Sequence, residues 1–180
     1  MKKVIKQFLQ RIRGEVPLEK LKSRGMKVGE EFWYGNACSF DSSHCWLINI
    51  GNNDTFSSRV HLLAHDASTK KGTGYVKIGL IDIGNNVFIG AGTTIMPNVS
   101  IGNDAIIGAG SIVTKTVPAG EVWAGVPAKY ICKCEELNRR YIDERIPIFD
   151  ESYTIRRGID DKKKKKMIEI LRQKGIGLVK

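Results

Sequence analysis

His44, His61 and His65 are the residues of this 180-residue chain best suited to moving protons near neutral pH, because an unperturbed imidazole titrates at about 6.5. A hydroxyl is a poor nucleophile at that pH, and an imidazole that takes its proton during attack makes it a competent one. Asp66 follows His65 directly. Neighbours on an extended strand point to opposite faces, so the orienting partner of the imidazole is expected to be a backbone carbonyl or another carboxylate. The four cysteines form no disulfide-framework pattern, and Cys132 and Cys134 are too close together for a zinc knuckle. Reduced thiols are expected, and no metal site.

The elements that must hold these residues are set by a repeat. Apolar side chains recur every six positions at Ile83, Ile89, Ile95, Ile101, Ile107 and Val113, and glycine follows directly at 84, 90, 102 and 108. Four positions after each lead stand Val87, Thr93, Val99, Ala105, Ser111 and Val117, all small or β-branched. Neither helical nor simple strand periodicity sustains such spacing. The pattern predicts a prism with three flat faces, each one hexad long, in which coils stack as parallel strands about 4.8 Å apart. The large aliphatic residue points inward, the small one fits a corner, and glycine is assigned to turn dihedrals that a Cβ would hinder.

The register appears twice more upstream. Val28, Tyr34 and Phe40 lead one coil, with Phe32, Cys38 and His44 at the small positions; Ile50, Phe56 and Leu62 lead another, with Asp54, Val60 and Asp66. Four coils follow, at 28–45, 50–67, 83–100 and 101–118, with a four-residue break after Cys45. Residues 68–82 should be a loop thrown out of the prism, for which Lys70, Lys71, Gly72, Gly74 and Tyr75 are suited.

The flanks read as helical: an amphipathic stretch over 2–13, then 134–144 and 160–173, the last ending at Gly175. The organisation expected is an N-terminal helical segment at 1–27, the repeat domain at 28–133 and a helical extension at 134–180. Much of the net charge of +10 lies in these flanks, including the run Lys162 to Lys166. No nucleic-acid-binding signature accompanies it, so it reads as a solvated face, with attraction of an anionic cofactor or acceptor as a milder use. No apolar run nears the roughly 20 residues of a membrane span, and the N-terminus lacks the apolar core of a secretory signal. A cytoplasmic location is expected.

This repeat, together with the string Gly125-Val126-Pro127-Ala128-Lys129, resembles the hexapeptide-repeat acyltransferases, particularly the maltose, galactoside and polysaccharide O-acetyltransferases, over residues 28–133. The resemblance implies an all-β left-handed parallel β-helix of about four coils, a homotrimer, and acetyl-CoA lying between neighbouring prisms. It implies an acetyl transfer to a sugar or glycan hydroxyl with His65, at the end of the second coil, as the general base. The matching position for the oxyanion-binding amide is Ala91. Ala109, Thr114 and Lys115 fall along the pantetheine channel, and Lys129 and Lys133 near the coenzyme phosphates. Where relatives often carry tryptophan this chain has Phe88, which is also an acceptor-side candidate. Asn36 and Asp41 in the first coil, and Tyr75 with Lys71 in the loop, are weaker acceptor-side candidates.

His44, at a small-residue position, reads as structural, and His61 as the more plausible substitute base. Gly90-Ala91-Gly92 is not a dinucleotide fingerprint, since it sits inside the hexad register. Three histidines also invite comparison with the zinc-binding γ-type carbonic anhydrases of the same fold, but positions 44, 61 and 65 do not match a pair about five apart plus one two coils earlier. Other readings are transfer to a small non-sugar hydroxyl or an amine, and a non-catalytic β-helical subunit.

Overall fold

The computed structural model describes residues 16–143 and 146–180; the helix expected over 2–13 lies outside them. The described residues up to Cys134 form one compact unit and Glu135–Lys180 a second. In the first unit the chain visits three parallel sheets in rotation. The first holds β1 (Lys27–Val28), β4 (Ile48–Ile50), β9 (Ile81–Ile83) and β12 (Val99–Ile101). The second holds β2 (Trp33–Tyr34), β5 (Thr55–Phe56), β10 (Phe88–Ile89) and β13 (Ile106–Ile107), and the third β3 (Ser39–Phe40), β6 (His61–Leu62), β11 (Thr94–Ile95) and β14 (Ile112–Val113). Each strand pairs with its counterpart in the next coil, so that Ile50 stands opposite Ile83 and Ile83 opposite Ile101.

The hexad is the physical cause of this arrangement. All six aliphatic leads from Ile83 to Val113, and all six small residues that follow them, are buried. A fully buried isoleucine contributes about 1.5–3 kcal/mol relative to an exposed one, and no single coil could supply the enclosure. In the first two coils aromatics fill the interior instead. Phe32 meets Phe56 edge-on at 4.8 Å between ring centroids and stacks on Tyr34 at 5.4 Å.

The glycines after the leads serve a different purpose from the one expected. A Cβ on Gly90 would stand 2.4 Å from the Ala109 amide nitrogen and 2.7 Å from its Cα, and one on Gly84 2.4 Å from the Asn103 side chain. Close approach of the next coil is what excludes a side chain there. The left-handed turn conformations are taken by Asn53, Asn86 and Asp104 at one corner and by Arg59, Gly92 and Gly110 at the next.

A fifth turn begins where Val117 bridges Ile101 and β15 (Glu121–Gly125) pairs with β13. It is closed by β16 (Ala128–Lys133), antiparallel to β15, so the stack ends in a hairpin rather than on an open parallel edge. The excursion from the second coil is also a hairpin. β7 (His65–Asp66) pairs antiparallel with β8 (Lys77–Ile78) around a short helical segment, Ala67–Thr73. It ends sooner than residue 82: Ile81 is fully buried and already paired with Ile48 and Val99.

Helix Cys134–Asp143 follows β16. In the second unit β17 (Ile148–Phe149) pairs with β18 (Leu178–Val179), and helix Asp161–Lys174 is capped by the Asp160 carboxylate, which accepts from the Lys163 amide at 2.7 Å. Gly175, with φ of 78°, ends that helix at the expected residue.

Candidate active site

Each coil leaves the third sheet and re-enters the first through one corner, and in the first two coils that corner is interrupted. After β3 the chain makes an inserted turn, Asp41 to Leu47, with a 3₁₀ segment Cys45–Leu47. The turn is anchored by Cys45, which is fully buried and has its Sγ 3.6 Å from the Leu21 carbonyl oxygen. After β6 the chain leaves through His65 into the hairpin, fixed at its base by the Gly79 amide donating to the Ala64 carbonyl at 3.0 Å.

The two interruptions meet. Asp41 Oδ2 lies in direct contact with His65 Nδ1, while Oδ1 accepts from the amides of Ser43 at 2.9 Å and His44 at 3.0 Å. The Asp41 side chain is only 1% exposed, whereas that of His65 is 37% exposed. Burial alone would push the Asp41 carboxyl up, but the bond from His65, the two amides and the charge of His65 outweigh it and hold it below the ordinary carboxylate range. An anchored carboxylate on Nδ1 fixes the tautomer and leaves Nε2 free to accept a proton.

Expected on the acceptor side, Asp41 is instead held against the His65 imidazole, with its side chain almost wholly buried. Asp66, as anticipated, does not serve that end. Its carboxylate accepts from the Ser68 amide at 2.8 Å and pairs with Lys77 at 2.8 Å, and these contacts lower it to about 2. The ring beside His65 is that of His44, 5.2 Å away between centroids, which also lies 5.3 Å from Trp46. His61 sits on β6, paired with Ser39 and Thr94.

The remaining candidates fall on distinct parts of the prism. Thr114 and Lys115, both exposed, occupy the same corner as His65 two coils further on. Asn36, Ala91 and Ala109 share the opposite edge of the third sheet in one column, where Arg59 donates to the Asn36 carbonyl at 2.9 Å and Gly110 to the Ala91 carbonyl at 2.8 Å. Within one chain, then, the third sheet separates His65 from Ala91. Phe88 is partly exposed on the outer face of β10, between Thr55 and Ile106. Tyr75 is 79% exposed in the hairpin, and Lys71 is exposed there too. Lys129, also exposed, pairs with Ala124 across the closing hairpin. Lys133 is engaged by Glu121 at 2.7 Å.

A prism of hexads whose broken corner pairs a buried carboxylate with an exposed imidazole fits a class of group-transfer enzyme, and the chain belongs to the hexapeptide-repeat acyltransferases. Residues 81–115 match the family described as bacterial transferase hexapeptide (six repeats). The chain is 39% identical over 149 residues to Protein CapG of Staphylococcus aureus, covering 77% of this chain and 83% of that one. Among solved structures, a maltose O-acetyltransferase from Clostridium difficile 630 superposes with a TM-score of 0.55 at 34% identity, covering 61% of this chain and 59% of that one. The polySia-specific acetyltransferase NeuO superposes with a TM-score of 0.51 at 28% identity, covering 59% of this chain and 50% of that one. The chain therefore spans between half and three-fifths of the length of these solved relatives. Among the described residues no helix is long and apolar enough to cross a membrane.

Proposed function

We propose that this protein transfers an acetyl group from acetyl-CoA to a hydroxyl of a sugar or glycan, with His65 as the general base. The observation that carries the reading is the His65–Asp41 pair, its carboxylate buried and its imidazole open to solvent. His65 Nε2 takes the proton of the acceptor hydroxyl as that oxygen attacks the thioester carbonyl. Asp41 stays ionised and stabilises the imidazolium that forms. When the carbon–sulfur bond breaks, the same nitrogen returns the proton to the leaving thiolate, and the chain ends the cycle as it began. The acceptor class rests on the relatives, which include a maltose and a polySia acetyltransferase.

The prism is left-handed in this reading, and the active unit is a homotrimer with its sites between subunits. The separation of Ala91 from His65 by the width of the third sheet supports a shared site, because one chain's base and another's oxyanion-binding amide can then converge. Thr114, Lys115 and Ala109 line the coenzyme channel, and Lys129 meets its phosphates. Asn36, Phe88 and Tyr75 remain acceptor-side residues, and a cytoplasmic location follows from the donor.

The test is acetyl transfer by complementation. Chains carrying His65→Ala and chains carrying Ala109→Trp, each inactive alone, are mixed under subunit exchange with acetyl-CoA and a panel of sugars. Recovery of O-acetylated sugar is the expected result. Absence of recovery in verified mixed trimers overturns the shared site, and acetylation of amines alone overturns the acceptor class.

A further inference from the structure

We propose that Asp41, His44 and His65 form a binding site for a divalent transition metal, best matched to zinc, and that its occupation switches the His65 base off. One ring nitrogen of each histidine and one carboxylate oxygen of Asp41 all lie within 4.8 Å of one another. Two imidazoles and a carboxylate are a donor set that zinc takes with a fourth position open. Metal–ligand bonds of about 2.0–2.2 Å set donor atoms roughly 3.3 Å apart, so the widest pair has to close by no more than about 1.5 Å, and the His65–Asp41 contact has to open to admit the ion between its two atoms.

The second observation is independent of the spacing. His44 Nδ1 is buried and makes no hydrogen bond among the described residues, and a polar nitrogen in that state costs free energy unless something binds it. The backbone of His44 already has its task, donating to Asp41 Oδ1 at 3.0 Å, so the imidazole is not needed for the turn. Asp41 is prepared as a ligand in the same way: two amides hold Oδ1 and leave Oδ2 to face His65. The sequence points to no metal because positions 44, 61 and 65 do not match the histidine spacing of the zinc-binding enzymes of this fold. The inserted turn after β3 is what brings both beside His65.

The consequence for catalysis rests on the reading of His65 as the base. In the metal-free protein a proton joins His65 Nδ1 to Asp41 Oδ2. The metal takes the place of that proton, which leaves to solvent, and an imidazole bound through Nδ1 carries its remaining proton on Nε2. The nitrogen that should accept a proton from the hydroxyl then holds one already.

The test uses the full chain, stripped of metal with a chelator, as wild type and as His44→Gln. Cobalt(II) is titrated with detection by visible absorption, and zinc by calorimetry; turnover is followed by mass spectrometry of the acetylated acceptor. One cobalt per chain with a four-coordinate spectrum is expected, with affinity for both metals falling roughly 10- to 100-fold in His44→Gln. Metal-free turnover should stay within about twofold of wild type, while the zinc concentration that halves it rises by the same factor as the affinity falls. If His44→Gln does not fold, His44→Phe keeps the ring packing beside Trp46 and removes both nitrogens. Equal affinity in wild type and variant, or no stoichiometric binding, overturns the site. Binding through His44 that leaves turnover unchanged overturns the switch, and with it the role of His65 rather than the metal site.

Discussion

Two corners of the same prism show opposite ways of using a repeat. Where the chain passes from the first sheet to the second, the coils turn alike: Glu31, Asn53, Asn86 and Asp104 all take left-handed conformations, with φ between 54° and 58°. Their neighbours form a ladder in which the Asn52, Asn85 and Asn103 side chains each accept a backbone amide of the preceding coil at 2.8 Å. Where the chain passes from the third sheet back to the first, the first two coils depart from the pattern, one through an inserted turn and one through a hairpin. The ladder corner pairs its asparagine side chains from coil to coil and gathers no imidazole. The interrupted corner brings together a buried carboxylate and two imidazoles. Regular stacking supplies stability, and the side chains suited to proton transfer gather where the register is broken.

The largest effect should come from attacking the regular part. Gly90→Ala places a Cβ against the backbone of Ala109 and should cost several kcal/mol or abolish folding, while Gly92→Ala, with open space but φ of 71°, should cost about 1 kcal/mol. Denaturant titration of the pair separates close approach from turn strain. At the interrupted corner, Asp41→Asn should lower kcat roughly 10- to 1,000-fold with the KM for acetyl-CoA held and the folded state retained. A proportional rise in KM instead would mark Asp41 as a binding residue.

The smallest effect concerns Asp54, which sits fully buried at a small-residue position with Oδ1 accepting from the Val87 amide at 2.7 Å and Oδ2 unpartnered among the described residues. Burial raises its carboxyl to about 6, against the bond from Val87. A folded value above the unfolded one means its stabilising contribution is full below about 4 and is lost as pH rises through about 6. Asp54→Asn should therefore gain stability relative to wild type as pH rises from 4 to 7, by on the order of 1–2 kcal/mol, measured by denaturant midpoints at each pH. A difference independent of pH would contradict this.

The repeat was legible because its period is long and its consequences are local: every lead from Ile83 to Val113 is buried where the hexad puts it. The position of His65 at the end of the second coil was legible for the same reason. The contact of Asp41 with His65 was not, because the bond joins residues 24 positions apart through an inserted turn, whose only trace in the sequence is the break after Cys45. The placement of His44 beside His65 was hidden on the same account, since a corner position in the ideal hexad says nothing of a corner that has been rebuilt. The glycine rule failed for a different reason. A period identifies where glycine recurs, and only the distance to the next coil reveals why.

The most direct test of the account is the turnover of His65→Ala measured beside its affinity for coenzyme A. A base that acts only in the transition state predicts a fall in kcat of roughly 100- to 10,000-fold with coenzyme binding unchanged. Near-normal turnover in that variant would contradict the assignment of chemistry to the interrupted corner.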